Sequence, residues 1–343
     1  MSNKQDTMGV SKATLYTYQI PFKVSMTFKQ YQLRYREGVI LQLTDSNRIN
    51  HYIEFSPLPG FSQETLYDVK KQLIPLLSES LDNLSADKHH APCIQLALDY
   101  LPIYLRGEAT VGFITPQKKS LTSIDNIPLL QGSSKQILAL YQSLKQPTLV
   151  KLKVGRSLVS EDIVTFQSLC NLNPNIKIRC DANQAWNKQQ AELFFSHINI
   201  NYLDYIEEPT NNHQRNLELA EQFNAPLGLD ETLQQVDFTY QHSRFIRAFI
   251  IKPTIIGSKQ KIDQLVSIAI EKDIIVSFSS SFESIIGIQQ LIKLANYYAT
   301  KKRQPTISLG IDTLKYFNST QLIDVKKIAG DCANLEVLWT SDR

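Results

Sequence analysis

Two rhythms of apolar and polar residues divide the chain. Over the first hundred residues, β-branched and aromatic residues cluster in "KATLYTYQIPF" (12–22), "EGVILQLTD" (37–45) and "RINHYIEF" (48–55), which predict strands separated by turns. "SPLPGFS" (56–62) carries two prolines and a glycine and predicts a rigid loop. Helical spacing follows in "SQETLYDVKKQLIPLLSESLDNL" (62–84), with Ser62 as its expected cap and Glu64 close behind, and again in "APCIQLALDYLPIYLRG" (91–107). Strands followed by helices predict an α+β unit.

From about residue 126 short apolar runs alternate with amphipathic segments. The runs are "IPLLQG" (127–132), "LVKLKVG" (149–155), "IKIRCDAN" (176–183), "LDYIEEP" (203–209), "PLGLDET" (226–232), "AFIIKPT" (248–254), "IIVSFSSS" (274–281) and "TISLGIDT" (306–313). Between two of them, "SKQKIDQLVSIAIEKD" places Ile262, Leu265, Val266, Ala269 and Ile270 on one stripe behind a capping Ser258. Eight strands joined by helices predict parallel pairing closed into a (β/α) barrel of the triosephosphate-isomerase type. An open doubly wound sheet would want a G-x-G-x-x-G after its first strand, and none is present. The final segment, "LKYFNSTQLIDVKKIAGDCANLEVLWTSDR", is long enough to return to the first unit. The expected division is an α+β capping domain at 1–105, a barrel at 106–315 and a returning segment at 316–343.

Composition removes several function classes. The chain has 343 residues, 36 basic and 33 acidic, for a net charge of +3. That balance does not suggest a nucleic-acid surface. No run approaches the roughly 20 apolar residues of a membrane span. The polar start, "MSNKQDTMGVSK", lacks an apolar signal core, so a cytoplasmic protein is expected. Four scattered cysteines without a C-x-x-C pair argue against a disulfide framework or structural zinc. Adjacent His89 and His90 read as solvent-exposed.

Chemistry enters at the strand ends, where such barrels place catalytic groups. Successive runs end with Lys151 and Lys153; Asp181 and Asn183; Glu207 and Glu208; Asp230 and Glu231; Lys252; Ser279 to Ser281; and Gly310 with Asp312. Lys153, Asp181, Glu207, Asp230 and Lys252 lie 28, 26, 23 and 22 residues apart, each about one βα unit. Three carboxylates side by side repel one another unless a cation lies between them, and oxygen donors alone favour Mg²⁺. A lysine beside such a cation and a second ammonium has a depressed pKa and can act as a base. The set suits proton abstraction next to a carboxylate, with Lys151 supplying positive field and Lys252 a second acid/base or a cover for an anionic intermediate. Taken singly, each acid could be a helix cap and each lysine a solvated side chain. Glu208 and Glu231 read more readily as supporting groups. Arg179, on the face of Asp181, pairs with the acids or binds a substrate carboxylate. Asn183 orients the turn or touches substrate. Ser279 and Ser280 are donors to substrate or an ordinary polar strand end.

The motifs "KLKVG", "RCDANQAW", "IEEPT", "LDET", "IKPTIIGS" and "SSSFES" resemble the enolase superfamily in its muconate-lactonising branch. Within it, "SPLPGFSQET", "SSSFESIIGIQQL" and "LGIDTL" resemble the o-succinylbenzoate synthases of menaquinone biosynthesis. The resemblance implies an α/β fold, a modified TIM barrel (β/α)₇β under an N-terminal α+β cap. It implies Mg²⁺ on Asp181, Glu207 and Asp230. It implies Lys153 as base and then acid in a syn elimination of water from 2-succinyl-6-hydroxy-2,4-cyclohexadiene-1-carboxylate, with Lys252 on the opposite face. Lys151 would assist by its charge, and Arg179, Asn183, Ser279, Ser280 and Gly310 would hold the substrate. The implied partner is a small-molecule carboxylate. In "NHYIEF" the family's glycine-flanked turn ahead of the Glu is missing, which bears on the shape of the cap loop. Two other functions are compatible with the same residues: an N-acylamino acid racemase or dipeptide epimerase, using both lysines, and a non-catalytic barrel that binds an anion or a partner. The complete lysine and acid sets argue against the last.

Overall fold

The computed structural model describes residues 10–79, 90–105, 127–235, 237–301, 307–318 and 335–341. At its N-terminal end, β1 (Val10–Phe28) and β2 (Tyr31–Asp45) form one long antiparallel hairpin, and β3 (Asn50–Phe55) pairs with β2. The hairpin runs well past the strands predicted from composition. Its tip is a tight turn at Lys29, whose φ is 52°. Between Pro21 and Met26 the register shifts, so the regular alternation that marks a strand in sequence is lost there. One face of the sheet, with Leu15, Val39, Leu41 and Ile53, packs on Val69, Leu73 and Leu77 of α1 (Leu66–Glu79). Two short helices, α2 (Pro92–Asp99) and α3 (Leu101–Tyr104), complete this layer.

Helix α1 starts later than expected, because Thr65 and not Ser62 caps it. The Thr65 N–H and hydroxyl donate to Asp68 Oδ2, and the Asp68 N–H donates to Thr65 Oγ1. Ser62 Oγ instead accepts from the Leu58 N–H, inside the proline-rich loop. Glu64 accepts from the Cys93 N–H at the start of α2. His90 is half-buried rather than solvent-exposed, with its Nε2 shielded. His89 and Cys332 lie outside the described residues, as do residues 106–126, where the cap was expected to give way to the barrel.

All eight apolar runs of the second part are strands. They are β4 (Leu129–Leu130), β5 (Leu149–Lys153), β6 (Lys177–Asp181), β7 (Leu203–Glu207), β8 (Leu227–Leu229), β9 (Ile246–Ile251), β10 (Ile275–Ser279) and β11 (Ile307–Gly310). They pair in parallel in chain order from β4 to β11. Helices α4 (Ser134–Ser143), α5 (Val159–Leu172), α6 (Lys188–His197), α7 (His213–Phe223), α8 (Glu231–Gln234), α9 (Pro253–Ile256), α10 (Lys259–Glu271) and α11 (Ile285–Lys301) fill the crossovers. The result is the (β/α)₇β succession of a modified TIM barrel. The two edge strands come round to one mouth, where Lys315, after β11, donates to the Leu129 carbonyl of β4 at 3.3 Å. In β5, Val150 and Leu152 face the helix layer while Lys151 and Lys153 face inward. Ser258 caps α10 through the Lys261 N–H, and Ile262, Leu265, Val266 and Ala269 are buried.

Last in the chain, β12 (Leu335–Thr340) pairs antiparallel with β1, giving a cap sheet ordered β12-β1-β2-β3. The apolar core continues from cap to barrel without a break. A second cluster, with Tyr18, Ile20, Phe22 and Ile40 of the sheet, packs on Ile286 and Phe317. Among the described residues no helix is long and apolar enough to cross a membrane.

Candidate active site

Parallel register carries the charged residues to one place. Lys151 pairs with Arg179 and Lys153 with Asp181; Asp181 in turn pairs with Glu207. Asp230 follows β8 immediately and heads α8; Lys252 follows β9 and heads α9. The three acids are almost completely enclosed, at 3%, 1% and 1% exposure for Asp181, Glu207 and Asp230. Enclosure without compensation is unfavourable for each, so every one draws in an ammonium. Lys153 Nζ lies 2.6 Å from Asp181 Oδ2. Lys151 Nζ bridges Asp181 Oδ2 at 2.8 Å and Glu207 Oε2 at 2.5 Å. Lys252 Nζ lies 2.5 Å from Asp230 Oδ2.

The lysines titrate apart. Burial lowers the pKa of Lys153, and the nearby Lys151 charge adds to this, outweighing the pull of Asp181. Burial acts on Lys151 too, but Asp181 and Glu207 together raise it well above the ordinary lysine value. Lys252 is raised for the same reason, with Asp230 and Glu231 overcoming burial. Lys153 is therefore the amine of the three suited to accept a proton.

Asp181, Glu207 and Asp230 could hold a hard divalent cation. Their donors are all oxygen, from adjacent strands, in a water-poor setting. Burial pushes Glu207 up to about 8, with Asp181 and Asp230 adding repulsion, despite Lys151 alongside. A shared cation relieves that strain, so the donor set fits one. Among the described residues no three such side chains stand gathered as a metal-binding group; lysine nitrogens hold the carboxylate oxygens instead.

The acids open onto a cavity of about 600 Å³ between barrel and cap. Of the residues singled out in the sequence, Lys151, Lys153, Asp181, Asn183, Asp230, Glu231, Lys252, Ser279, Ser280, Ser281, Gly310 and Asp312 line it. Glu207 sits beneath, against Lys151. Asn183 accepts from Lys153 through its Oδ1 and folds its own N–H onto Asp181 Oδ1. The Ser280 hydroxyl is engaged with Thr313 Oγ1 at 2.8 Å, while Gly310 leaves room for Ser279 Oγ beside it. Arg179 is not brought to the cavity. It lies one layer down the barrel, bound to Asp204 Oδ2 at 2.7 Å and Ser308 Oγ at 3.0 Å, with its guanidinium over the Tyr205 ring. Two residues below Asp181 on the same face, it points toward the barrel floor. Glu208 is likewise a support: its Oε1 accepts the N–H groups of Asp230 and Thr232 and holds the β8–α8 turn.

Glu231, read in the sequence as a supporting group, borders the cavity, and burial together with Asp230 raises it to about 7. Other wall residues were not legible from the motifs. The far wall is apolar and comes mainly from the cap: Met26, Phe28, Leu58 and Phe61, with Phe282 from the barrel. The Phe61 ring faces Lys252 at 5.8 Å. Nothing in the hairpin's composition marks Met26 or Phe28 as wall residues, because only the folded hairpin brings its tip over the barrel.

Known proteins resemble this chain in sequence and in fold. Residues 10–101 match the family model described as MenC, N-terminal domain, and residues 138–308 match that described as enolase C-terminal domain-like. An o-succinylbenzoate synthase of Aliivibrio fischeri is 27% identical over 333 residues, covering 95% of this chain and 98% of the relative. The crystal structure of o-succinylbenzoate synthase from Thermosynechococcus elongatus, complexed with Mg in the active site, superposes with a TM-score of 0.70 at 23% identity, covering 91% of this chain and 96% of that one. The substrate-liganded L-Ala-D/L-Glu epimerase of Bacillus subtilis superposes with a TM-score of 0.65 at 15% identity, covering 91% and 92%. With a cap model and a barrel model matched in succession along it, and the same architecture in the solved structures, this chain belongs to the enolase superfamily and is an enzyme of it.

Proposed function

We propose that this enzyme catalyses the dehydration for which its curated relatives are named, converting 2-succinyl-6-hydroxy-2,4-cyclohexadiene-1-carboxylate to 2-succinylbenzoate in menaquinone biosynthesis. The observation that carries the reading is the run Lys153, Asp181, Glu207, Asp230, Lys252 on five consecutive strand ends, of which all but the underlying Glu207 line a cavity whose opposite wall is apolar. Neutral Lys153 removes the proton next to the substrate carboxylate. The electron pair moves into the carboxylate, returns to form the ring double bond and expels the hydroxyl from the neighbouring carbon. Lys153, now protonated, gives its proton to that hydroxyl, so water leaves on the face from which the proton was taken. Lys151 and Lys252 remain cationic; Lys252 lies on the other flank of the acids and faces the intermediate. Mg²⁺ held by Asp181, Glu207 and Asp230 would supply positive charge for the substrate carboxylate oxygens as they gain charge. Lys151, Asn183, Ser279, Ser280 and Gly310 are proposed to hold the substrate, and the apolar wall its ring. Arg179, bound to Asp204 and Ser308, acts through the barrel floor.

The test is aromatisation followed by ultraviolet absorbance. Lys153→Ala is expected to lower the rate by about 10³-fold or more with the fold intact by circular dichroism. A variant retaining the parental rate overturns the reading. Lysines on both flanks, together with the likeness to an epimerase, favour one alternative: proton exchange on opposite faces of an N-acylamino acid or dipeptide. Incubation of an N-succinylamino acid with the enzyme and Mg²⁺ in D₂O separates the two. Deuteration at the α carbon without aromatisation supports the alternative.

A further inference from the structure

The turn after β10, Ser279 to Phe282, supplies four consecutive residues of the cavity wall. It is held in part from within: the Phe282 N–H donates to Ser280 Oγ at 3.0 Å, and the Ser281 N–H donates to the Glu283 carboxylate. Phe282 has φ of 60°, a left-handed backbone that a bulky residue rarely adopts unless its surroundings impose it. Part of those surroundings belongs to the cap, which reaches the Phe282 carbonyl.

Arg36, on β2, is 1% exposed. Its Nε donates to the Phe282 carbonyl at 3.0 Å. Its Nη1 donates to the carbonyls of Glu37 and Pro57, both at 2.8 Å, and its Nη2 to that of Ser56. One rigid fork therefore ties together the cap strand, the proline-rich loop and the β10 turn. Glu54, on β3, is 6% exposed and grips the start of α11, directly after the turn. Its carboxylate accepts the Ser284 N–H at 3.0 Å, the Ser284 hydroxyl and the Gly287 N–H at 2.8 Å, capping α11 from another domain. The Tyr18 hydroxyl, 2.7 Å away, orients that carboxylate. A Cβ on Gly287 would lie 2.4 Å from the Glu283 Cβ and 3.1 Å from Glu54 Oε2, so glycine makes room chiefly for Glu283 and also for Glu54.

We propose that Arg36 and Glu54 are positioning residues, which act from the cap to set the β10 turn in the shape that receives substrate. The geometry makes the cap more than a lid: it completes a wall of the barrel. Occupancy of the cavity and correct placement of the cap are thereby coupled, since a shift of β2 moves the Phe282 carbonyl and a shift of β3 moves the α11 amides that follow the turn.

Arg36→Lys and Glu54→Gln test this separately, so that one variant carries the test if the other does not fold. Lysine keeps the charge but loses the fork; glutamine keeps one acceptor and turns an N–H toward the α11 amides. Two measurements apply. In hydrogen exchange, amides of Ser281 to Gly287 are expected to exchange about tenfold faster, with those of β5 to β9 unchanged. In steady-state kinetics, KM for the cyclohexadiene carboxylate is expected to rise about tenfold with kcat within about threefold. Restoring the cap contact in Glu54→Asp is expected to recover part of the loss. Parental exchange in the turn, or an equal loss of protection throughout the barrel, overturns the proposal, as does a lowered Tm with unchanged KM. The kinetic arm rests on the proposed dehydration. A parental enzyme that does not aromatise the substrate sinks that reading and leaves the exchange arm to decide this one.

Discussion

Lys151 and Lys153 share one strand and one face, yet their proton affinities shift in opposite directions. The difference is one of partners: Lys151 bridges two carboxylates, whereas Lys153 meets one and feels the charge of its neighbour. It has a consequence in pH. A general base works in its neutral form, so kcat/KM should rise with pH and level off above the Lys153 pKa. Because that pKa is lowered, the midpoint should fall below the 10.5 of an ordinary lysine. A pH–rate profile measures this, and an acid limb with its midpoint above that value would contradict it. At the acids, Asp230→Asn removes charge while preserving shape. Titration calorimetry should show Mg²⁺ affinity reduced by at least about tenfold to a hundredfold, the loss that follows when only an outer-shell partner of a ligand is changed, with the melting temperature not lowered. Unchanged affinity would remove Asp230 from the set. The residue types and their spacing were readable in the sequence. The fate of Arg179 was not: its alternation with Asp181 is correct, but depth along the barrel separates the mouth from the floor, and Asp204 and Ser308 claim it there.

Elements in the barrel follow local pattern closely because each strand is enclosed on both faces and each helix on one. Ser258 illustrates the energetics. It caps α10 by accepting the Lys261 N–H, so Ser258→Ala should destabilise the protein by about 1 kcal/mol. Denaturant titration checks this; no change would mean that another group satisfies the helix end. The cap elements were less legible. Ser62 looked like a cap, but the chain is still turning there, and Thr65 with Asp68 makes the reciprocal pair. The hairpin β1–β2 extends to Phe28 and Tyr31 because pairing across it compensates for an irregular pattern. Its tip matters to the site, since Met26 and Phe28 form part of the cavity wall.

For the whole molecule, cap and barrel are joined by a common core and by the C-terminal strand, which crosses back to pair with β1. Removing residues 335–343 should expose the edge of β1, lower the melting temperature and promote association through that edge. Scanning calorimetry and sedimentation read both effects; a truncated protein with parental melting behaviour would show that β12 contributes little. The apolar periods and turn residues determined, without any fold in hand, that eight strands alternate with helices and that five charged side chains recur once per unit. Period-two alternation and the βα repeat are local properties, so they are written in order along the chain. The split in role between the two lysines was expected from the sequence, but three features waited on the tertiary structure: the apolar wall from the hairpin tip, the grip of Arg36 on the β10 turn and of Glu54 on the start of α11, and the pair of carboxylates that holds Lys151 high. Each depends on which groups from distant segments share a low-dielectric space, and neither spacing nor composition encodes distance through space.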